Sequence, residues 1–310
     1  MVKQIKYKNL TWIDVLNPTK EEVLSLIENY KIHPFIQEEL RHPTFRPKID
    51  LYDEAIYLIL HFPDENSGNT KNNQSNAREI DFIIGREFLI TVHYEPFLPL
   101  EEFSKILEAS DQWSQQKKRG LHAGHLFSYI IRQIYESLEP SLNFINDNLK
   151  RAEKRIFSGQ EKEMVRVLAE INHHLLDFRW VLKNHEEILK SLETATEEFF
   201  DDKFDYHMHQ IIGEYRRLMN SLENNEQSFR ELRNINESML DIKNNDIVKT
   251  LTVLAFIFLP ITVITSVFGM SGTESNMPLI KSDGGFWVVM ALTFVIAIIS
   301  YLVVKIKKWL

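Results

Sequence analysis

A stripe of residues, several of which are small or carry a hydroxyl or an amide, recurs at alternating steps of three and four residues near the C-terminal end of the chain. The positions are Asn245, Val248, Thr252, Ala255, Leu259, Thr262 and Ser266. A helix places residues at this spacing on one face. Within an apolar segment, a partly polar face is expected where it meets other helices or water. The stripe therefore indicates either close helix packing or the wall of a wet path enclosed by a symmetric ring of such helices.

Two long uncharged stretches supply the elements that would position this stripe. No charge occurs for 24 residues between Lys249 and Glu274, or for 21 residues between Asp283 and Lys305. A bilayer core about 30 Å thick needs roughly 20 apolar residues of helix. The sequence therefore predicts transmembrane helices over 247–270 and 286–304. An external loop over 271–285 and a basic tail over 305–310 complete this region.

Basic residues set the expected orientation. Lys249 precedes the first span, whereas Lys305, Lys307 and Lys308 follow the second. Because basic residues favour the cytoplasmic side, both termini are expected inside the cell. The first residues form no apolar run of signal-peptide length. Cysteine is absent, which fits a reducing compartment.

The net charge is distributed unevenly along the chain. The whole chain carries −8, and the four Lys and two acids after residue 249 contribute +2, so residues 1–249 carry −10. Such an acidic body argues against nucleic acid as a partner. It either raises the local concentration of cations or simply keeps the protein soluble.

The first 120 residues predict an α/β domain. Residues 12–16 and 55–61 have the composition of strands, and residues 80–92 read as a hairpin that turns at Gly85. Thr19 and Glu22 have the spacing of a capping box that opens a helix. Residues 64–76 hold no apolar side chain and predict a solvated loop.

Residues 121–246 predict a helical stalk. Three long helices are expected over 121–157, 161–200 and 205–268, with a kink at Pro140. In the third helix the apolar positions follow a heptad pattern typical of coiled coils, with Asn225 and Asn236 at positions of the apolar stripe. Nothing in the sequence breaks this helix before the first transmembrane span.

The end of the first span resembles a known signature. Phe268-Gly269-Met270-Ser271, followed by Met277-Pro278-Leu279, resembles the aromatic-Gly-Met-Asn and Met-Pro signature of CorA-type divalent-cation channels. The resemblance extends over nearly the whole chain in the same order. It includes Trp12-Ile13-Asp14, Asn17-Pro18-Thr19, His33-Pro34, Arg46-Pro47-Lys48, Tyr52-Asp53, the hairpin strands over 82–93, and Lys307-Lys308-Trp309-Leu310.

This resemblance implies a homopentamer in the inner membrane, in which Gly269, Met270 and position 271 form the outer pore mouth. In the family an Asn carboxamide at that position would bind the water shell of hydrated Mg²⁺. Here Ser271 stands in its place, and its hydroxyl reaches less far. A ring of serines would be wider and bind the shell more weakly, unless Asn276 supplies a displaced carboxamide.

The resemblance also implies Mg²⁺ as the transported and regulatory ion, with Co²⁺ and Ni²⁺ as companions and no other cofactor. Leu251 and Leu259 are expected to be hydrophobic constrictions that close by dewetting. Intracellular divalent ions bound between neighbouring subunits would hold the ring closed. Asp241 and Asp246 are weak candidates for metal contact near the inner mouth. The chain has no Gly-rich phosphate loop, so transport would run down the electrochemical gradient.

Two further groups of residues have side chains of the types that bind metal ions. Asp201, Asp202, Asp205, His207 and His209 could hold a metal or form a solvated helix start. His207 and His209 should diverge, because residues two apart on a helix point in different directions. His173, His174 and His185 are explained by surface exposure or packing. No catalytic set stands out, so an enzyme is not expected.

Two alternatives remain at this level. One is a zinc transporter of the same fold, coupled or not to protons. The other is a non-conducting membrane-anchored scaffold or metal sensor that lost its filter with the Asn.

Overall fold

The computed structural model describes residues 2–7, 9–44, 46–63, 77–109, 122–200, 204–269 and 285–307. The chain divides into two compact units, Met1–Arg233 and Asn234–Leu310. The strands are β1 Val2–Tyr7, β2 Leu10–Leu16, β3 Lys48–Leu51, β4 Ile56–Pro63, β5 Ala77–Ile84 and β6 Phe88–His93. The helices are α1 Lys20–Tyr30, α2 Pro34–Glu39, α3 Leu98–Ala109, α4 Ala123–Phe157, α5 Glu161–Leu182, α6 His185–Phe199, α7 Asp205–Gly269 and α8 Gly285–Ile306.

The first unit contains a six-stranded mixed sheet in the order β1-β2-β6-β5-β4-β3. Strands β2 and β6 are parallel, and the other neighbouring strands are antiparallel. Every residue of β4 is buried, as expected for a sheet covered on both faces. Apolar residues of α1 and α2 cover one face, and on the other face Phe127 of α4 packs edge-on against Phe82 at 5.2 Å. The predicted α/β domain is confirmed.

Local signals in the sequence correspond to local structure. The Thr19 hydroxyl accepts from the Glu22 amide at 3.2 Å, and the Glu22 carboxylate accepts from the Thr19 amide at 2.8 Å. The predicted hairpin joins β5 and β6, and the Gly85 amide donates to the Phe88 carbonyl at 2.8 Å. Glycine is required at position 85 because a Cβ there would clash with the Phe88 ring. Residues 64–76, predicted as a solvated loop, lie outside the described residues.

The helical part differs from the prediction at one place. Residues 161–200 were expected to form one helix, but the structure ends α5 at Leu182 and begins α6 at His185. The prediction of a single helix is therefore wrong. The reason lies in the tertiary structure. Buried hydrogen bonds from residues distant in sequence hold the carbonyl of Leu182 and the ring of His185 at the break. Helix α4 continues through Pro140 without ending there.

The apolar stripe of α7 is buried along the first unit. The buried residues are Met208, Ile211, Tyr215, Leu218, Leu222, Asn225, Phe229 and Leu232. The side chain of Asn225 donates to the Leu142 carbonyl of α4 at 2.9 Å, and Arg217 pairs with Glu139 of the same helix at 3.0 Å. This part of the heptad pattern is therefore covered by the chain's own helices. The predicted division at residue 120 separates the sheet and α1 to α3 from the long helices, whereas α4 to α6 and the start of α7 belong to the same compact unit as the sheet.

Among the described residues, two helices contain windows apolar enough to cross a membrane. The window in α7 has a mean hydropathy of 2.4 and the window in α8 a mean hydropathy of 2.6. Only 6% of the first window and 11% of the second is buried, so these two apolar windows are not buried in a core of the described residues. They contain the predicted spans 247–270, up to Gly269, and 286–304. The predicted loop over 271–285 lies outside the described residues except for Gly285, and so do residues 308–310 of the tail.

Candidate ion pathway

The residues predicted to line an ion path lie on one exposed face of α7. All eight have exposed side chains: Asn245, Val248, Leu251, Thr252, Ala255, Leu259, Thr262 and Ser266. The large apolar members are exposed as well, since Leu251 is 66% and Leu259 63% exposed. The chain's own described residues therefore leave this face uncovered.

The opposite face of the same helix segment is partly covered. Val253 is only 6% exposed, and Ile257, Pro260, Ile261, Ile264 and Phe268 have intermediate exposure. These positions also recur at steps of three and four residues. At about 100° per residue, their mean direction lies roughly opposite the mean direction of the predicted path residues. This part of the helix thus has one partly covered face and one exposed face.

The threonines on the exposed face present oxygen lone pairs. The hydroxyl of Thr252 donates to the Val248 carbonyl at 2.8 Å, and that of Thr262 donates to the Phe258 carbonyl at 2.9 Å. A hydroxyl has one donor and two acceptor sites. With the donor used within the helix, the oxygen is left to accept. The water shell of a hydrated cation presents hydrogens, so these oxygens suit such a shell.

The predicted selectivity residues fall at the edge of the described chain. Gly269 is the last residue of α7. Met270, Ser271 and Asn276 lie outside the described residues, so the mouth itself remains a prediction.

The two acidic candidates just before the apolar window of α7 do not share a face. Both Asp241 and Asp246 are exposed. Asp241 precedes Asn245 by four residues and lies on the predicted path face, whereas Asp246 follows it by one residue and points about 100° away. Asp246 instead lines a 360 Å³ groove with Ile247, Thr250, Leu251 and Leu254. Helix geometry therefore places the carboxylates of Asp241 and Asp246 on different faces of α7.

The possible metal-binding cluster at the start of α7 consists of His209, Asp205 and Glu193. His209 Nδ1 lies 3.2 Å from a Glu193 carboxylate oxygen and 3.7 Å from one of Asp205. These three ligand atoms lie within 4.8 Å of one another, and the cluster is largely exposed. His207 diverges as predicted and packs against the His125 ring at 4.7 Å. Glu193 was missed because it comes from α6, and sequence spacing gives no signal for it; Asp201 and Asp202 lie outside the described residues.

The other histidines have the packing and surface roles that were predicted. His173 is exposed and lies 3.9 Å from Asp177. His185 is fully buried, with Nδ1 2.9 Å from the Tyr135 hydroxyl and Nε2 2.8 Å from the His61 carbonyl. Burial lowers the pKa of His185 to about 3, so the ring is neutral. Its two ring nitrogens are both used for packing the helices onto the sheet.

Comparisons with known proteins agree with this architecture. The "Cobalt/magnesium transport protein CorA" of Thermotoga maritima is 24% identical over 314 residues, which cover 97% of this chain and 83% of the relative. The protein of the same description from Methanocaldococcus jannaschii is 25% identical, with coverages of 97% and 92%.

The solved structure titled "The complete structure of CorA magnesium transporter from Methanocaldococcus jannaschii" has the same fold. Its TM-score is 0.80 at 20% identity, and the match covers 99% of this chain and 94% of that chain. The sequence pattern of the family described as "CorA-like Mg2+ transporter protein" matches residues 7–307. The chain therefore belongs to this family, which is one of transporters and not of enzymes.

Proposed function

We propose that the chain forms a homopentameric channel in the cell (inner) membrane, with both termini in the cytoplasm. It conducts divalent cations passively, Mg²⁺ first and Co²⁺ or Ni²⁺ as companions. The observation that carries the proposal is the uncovered face of α7, which bears the predicted path residues opposite the covered Val253 face.

One chain with two membrane helices cannot enclose a pore, whereas a symmetric ring of first spans can. Family membership supports the ring, because the similar proteins are transporters of this architecture. The uncovered face would then turn to the ring axis, and α8 would lie outside.

The stretch just before the apolar window supports contact between copies. Residues 241–250 of α7 are exposed at every position. They include large apolar side chains, of which Ile242, Ile247 and Val248 are 56–62% exposed. Charges at Asp241, Lys243, Asp246 and Lys249 make this stretch too polar for the bilayer core. Apolar residues in such a position are best covered by neighbouring copies of the same helix.

The chemistry of the face suits a hydrated ion. Mg²⁺ gives up its waters reluctantly, so a path for it must hold the water shell rather than the bare ion. The accepting oxygens of Thr252 and Thr262 fit that task. Leu251 and Leu259 would form rings that interrupt the water column when the pore is closed. Ser271 would bind the shell at the mouth less firmly than a carboxamide.

The membrane potential would supply the driving force. A divalent ion entering a cell at 100 mV, inside negative, gains about 4.6 kcal/mol, twice the value for a single charge. Intracellular divalent ions would close the channel by binding between acidic bodies of neighbouring subunits. The −10 charge of residues 1–249 supports this regulation.

The test is flux into proteoliposomes made with the purified full chain. Mg²⁺ uptake should follow an imposed inside-negative potential and should not require a pH gradient. Uptake of Zn²⁺ that depends on a pH gradient, with little Mg²⁺ uptake, would instead support a zinc transporter. If no divalent ion enters while metal still stabilises the protein, the chain is a scaffold or sensor and the channel proposal is wrong.

A further inference from the structure

Two acidic side chains lie buried side by side in the sheet of the first unit. Glu79 and Asp81 are two residues apart on β5 and so face the same side of the sheet. Asp81 is 0% exposed and Glu79 is 6% exposed. Neither residue belongs to the ion pathway described above, and burial of a carboxylate is costly unless its oxygens are paired.

One oxygen of Glu79 is fully used. Its Oε2 accepts from the Thr44 amide at 2.6 Å and from the Thr44 hydroxyl at 3.2 Å, and it lies 3.1 Å from His61 Nε2. The same Nε2 lies 2.8 Å from the Thr44 carbonyl, which can only accept. Nε2 therefore carries a hydrogen and is a third donor near Oε2. Oε2 of Glu79 therefore lies within reach of three donors.

One oxygen of Asp81 is also used. Its Oδ2 accepts from the Tyr57 hydroxyl at 3.0 Å and lies 3.5 Å from the Tyr94 hydroxyl. The remaining oxygens are Glu79 Oε1 and Asp81 Oδ1, both buried and without a hydrogen-bond partner. The two side chains are within hydrogen-bonding reach of each other. Two carboxylate oxygens can bond to each other only if one of them carries a proton.

We infer that Asp81 is protonated at neutral pH and donates a hydrogen bond from Oδ1 to Glu79 Oε1, so that the pair shares one proton and one negative charge. A single proton satisfies both remaining oxygens. The proton is placed on Asp81 because Glu79 Oε2 lies near three donors, whereas Asp81 Oδ2 lies near two, the hydroxyls of Tyr57 and Tyr94. Both residues of the pair lie on β5. Glu79 also accepts hydrogen bonds from Thr44, so the pair is linked to the segment before β3.

The electrostatics agree with this assignment. Burial, and then the charge of Glu79, raise the pKa of Asp81 well above its ordinary value. Burial also raises the pKa of Tyr57 and of Tyr94, so both hydroxyls remain donors. Among charged groups on the packed elements, Glu39 of α2 adds negative potential. Lys48 of β3 is bonded to Glu39 at 2.5 Å and to Asp50 at 2.7 Å.

The pair makes the first unit sensitive to alkaline pH. The unfolded chain releases the Asp81 proton near the ordinary value of 3.8, whereas the folded chain keeps it to a higher pH. Between these two values the unfolded state binds fewer protons, so stability falls as pH rises. Above the raised pKa, two adjacent charges would occupy a buried site and loosen the contact between β5 and the Thr44 segment.

Infrared titration and thermal unfolding of the full-length protein in detergent test the inference. Asp81→Asn replaces the protonated acid with an amide that can donate to Glu79 and accept from Tyr57. The matched control is Asp53→Asn, at an exposed position of the same unit. The infrared band of a protonated carboxylic acid should be present in the wild type and the control, and absent in Asp81→Asn. From about pH 5 to about pH 9, the unfolding temperature of the wild type should fall relative to that of Asp81→Asn.

Several results would overturn the inference. One is an infrared band that survives in Asp81→Asn, and another is an unfolding-temperature gap that stays constant with pH. A third is stabilisation by added Mg²⁺ at neutral pH that is lost in Asp81→Asn, since a cation would then occupy the pair. If Asp81→Asn does not fold, Glu79→Gln provides the same test. Its amide would donate to an ionised Asp81, so the band should disappear in that variant too.

Discussion

The hydroxyl of Tyr215 on α7 donates a hydrogen bond to the carbonyl oxygen of Leu182, the last residue of α5, at 3.2 Å. The last carbonyls of a helix have no partner within the helix, and the tyrosine supplies one. Its ring also stacks on His185, the first residue of α6, with 6.2 Å between ring centres. The break between α5 and α6 is therefore fixed by a residue of the α7 stripe.

Replacing Tyr215 with phenylalanine should destabilise the fold without removing the ring. The Leu182 carbonyl would lose its donor in a buried position, which costs about 1–3 kcal/mol. Chemical unfolding of the full chain in detergent measures the change. Tyr206→Phe is the matched control, because Tyr206 is exposed and its hydroxyl should contribute little. Equal stability of the two variants would mean that the Tyr215 bond does not hold the break.

His185 should make the fold sensitive to acid. Burial lowers its pKa from the ordinary 6.5 to about 3. As the pH falls below 6.5, His185 binds a proton in the unfolded chain but stays neutral in the folded chain. The neutral buried ring therefore contributes its full stability above pH 6.5, and this contribution decreases on acidification. The loss is about 1.4 kcal/mol per pH unit, or about 2 kcal/mol by pH 5.

The comparison with His185→Gln isolates this effect. The stability gap between the wild type and the variant should narrow as the pH is lowered from about 7 to about 5. His173→Gln serves as the matched control, because His173 is an exposed histidine of the same unit. A gap for His185→Gln that does not change with pH would contradict a buried neutral imidazole.

Local sequence signals predicted the local structure well, because their partners are close along the chain. The Thr19 capping box and the Gly85 turn are examples. The break after Leu182 could not be predicted in this way, since its determinants are Tyr215 on α7 and the contacts of His185 with Tyr135 and His61. Glu193 of the His209 cluster was missed for the same reason.

The spacing of residue types predicted which residues share one face of α7, but not which molecule or helix packs against that face. Asn225 occupies a position where coiled coils often set their oligomeric state. The structure instead uses its amide within the chain, on the Leu142 carbonyl. The same three-four stepping continues to Ser266, where the face is exposed. A pattern of residue types shows which side chains share a face of the helix. Which helix or subunit contacts that face depends on the tertiary and quaternary structure.

The two acids near the inner mouth should differ in effect. Asp241 lies on the path face and Asp246 does not, so Asp241→Asn should lower Mg²⁺ conductance at low ionic strength more than Asp246→Asn. High salt should remove the difference, because the field of an exposed charge is screened beyond about 10 Å at 0.1 M salt and beyond about 3 Å at 1 M. Single-channel or flux measurements at two salt concentrations check this. If Asp246→Asn has the larger effect, the assignment of the path face is wrong at this end.

Position 271 should control binding of the hydrated ion at the mouth. Ser271→Asn adds a carboxamide that reaches further and has more hydrogen-bonding sites. One net hydrogen bond of about 1 kcal/mol corresponds to roughly a fivefold gain in Mg²⁺ uptake at low concentration. Ser271→Thr keeps the hydroxyl without the carboxamide and should show no such gain. Unchanged uptake in Ser271→Asn would contradict a role of this residue in selecting the ion.

Thiol accessibility within the membrane tests the ion pathway most directly. The chain contains no cysteine, so single cysteines can be placed without a background. Thr252→Cys, Ala255→Cys and Thr262→Cys probe the exposed face, and Val253→Cys, Ile257→Cys and Ile264→Cys probe the opposite face. In proteoliposomes, a charged membrane-impermeant thiol reagent should block Mg²⁺ flux through the first three variants and leave the last three conducting. Block of the second set instead, or of neither set, would contradict an ion path along this face of α7.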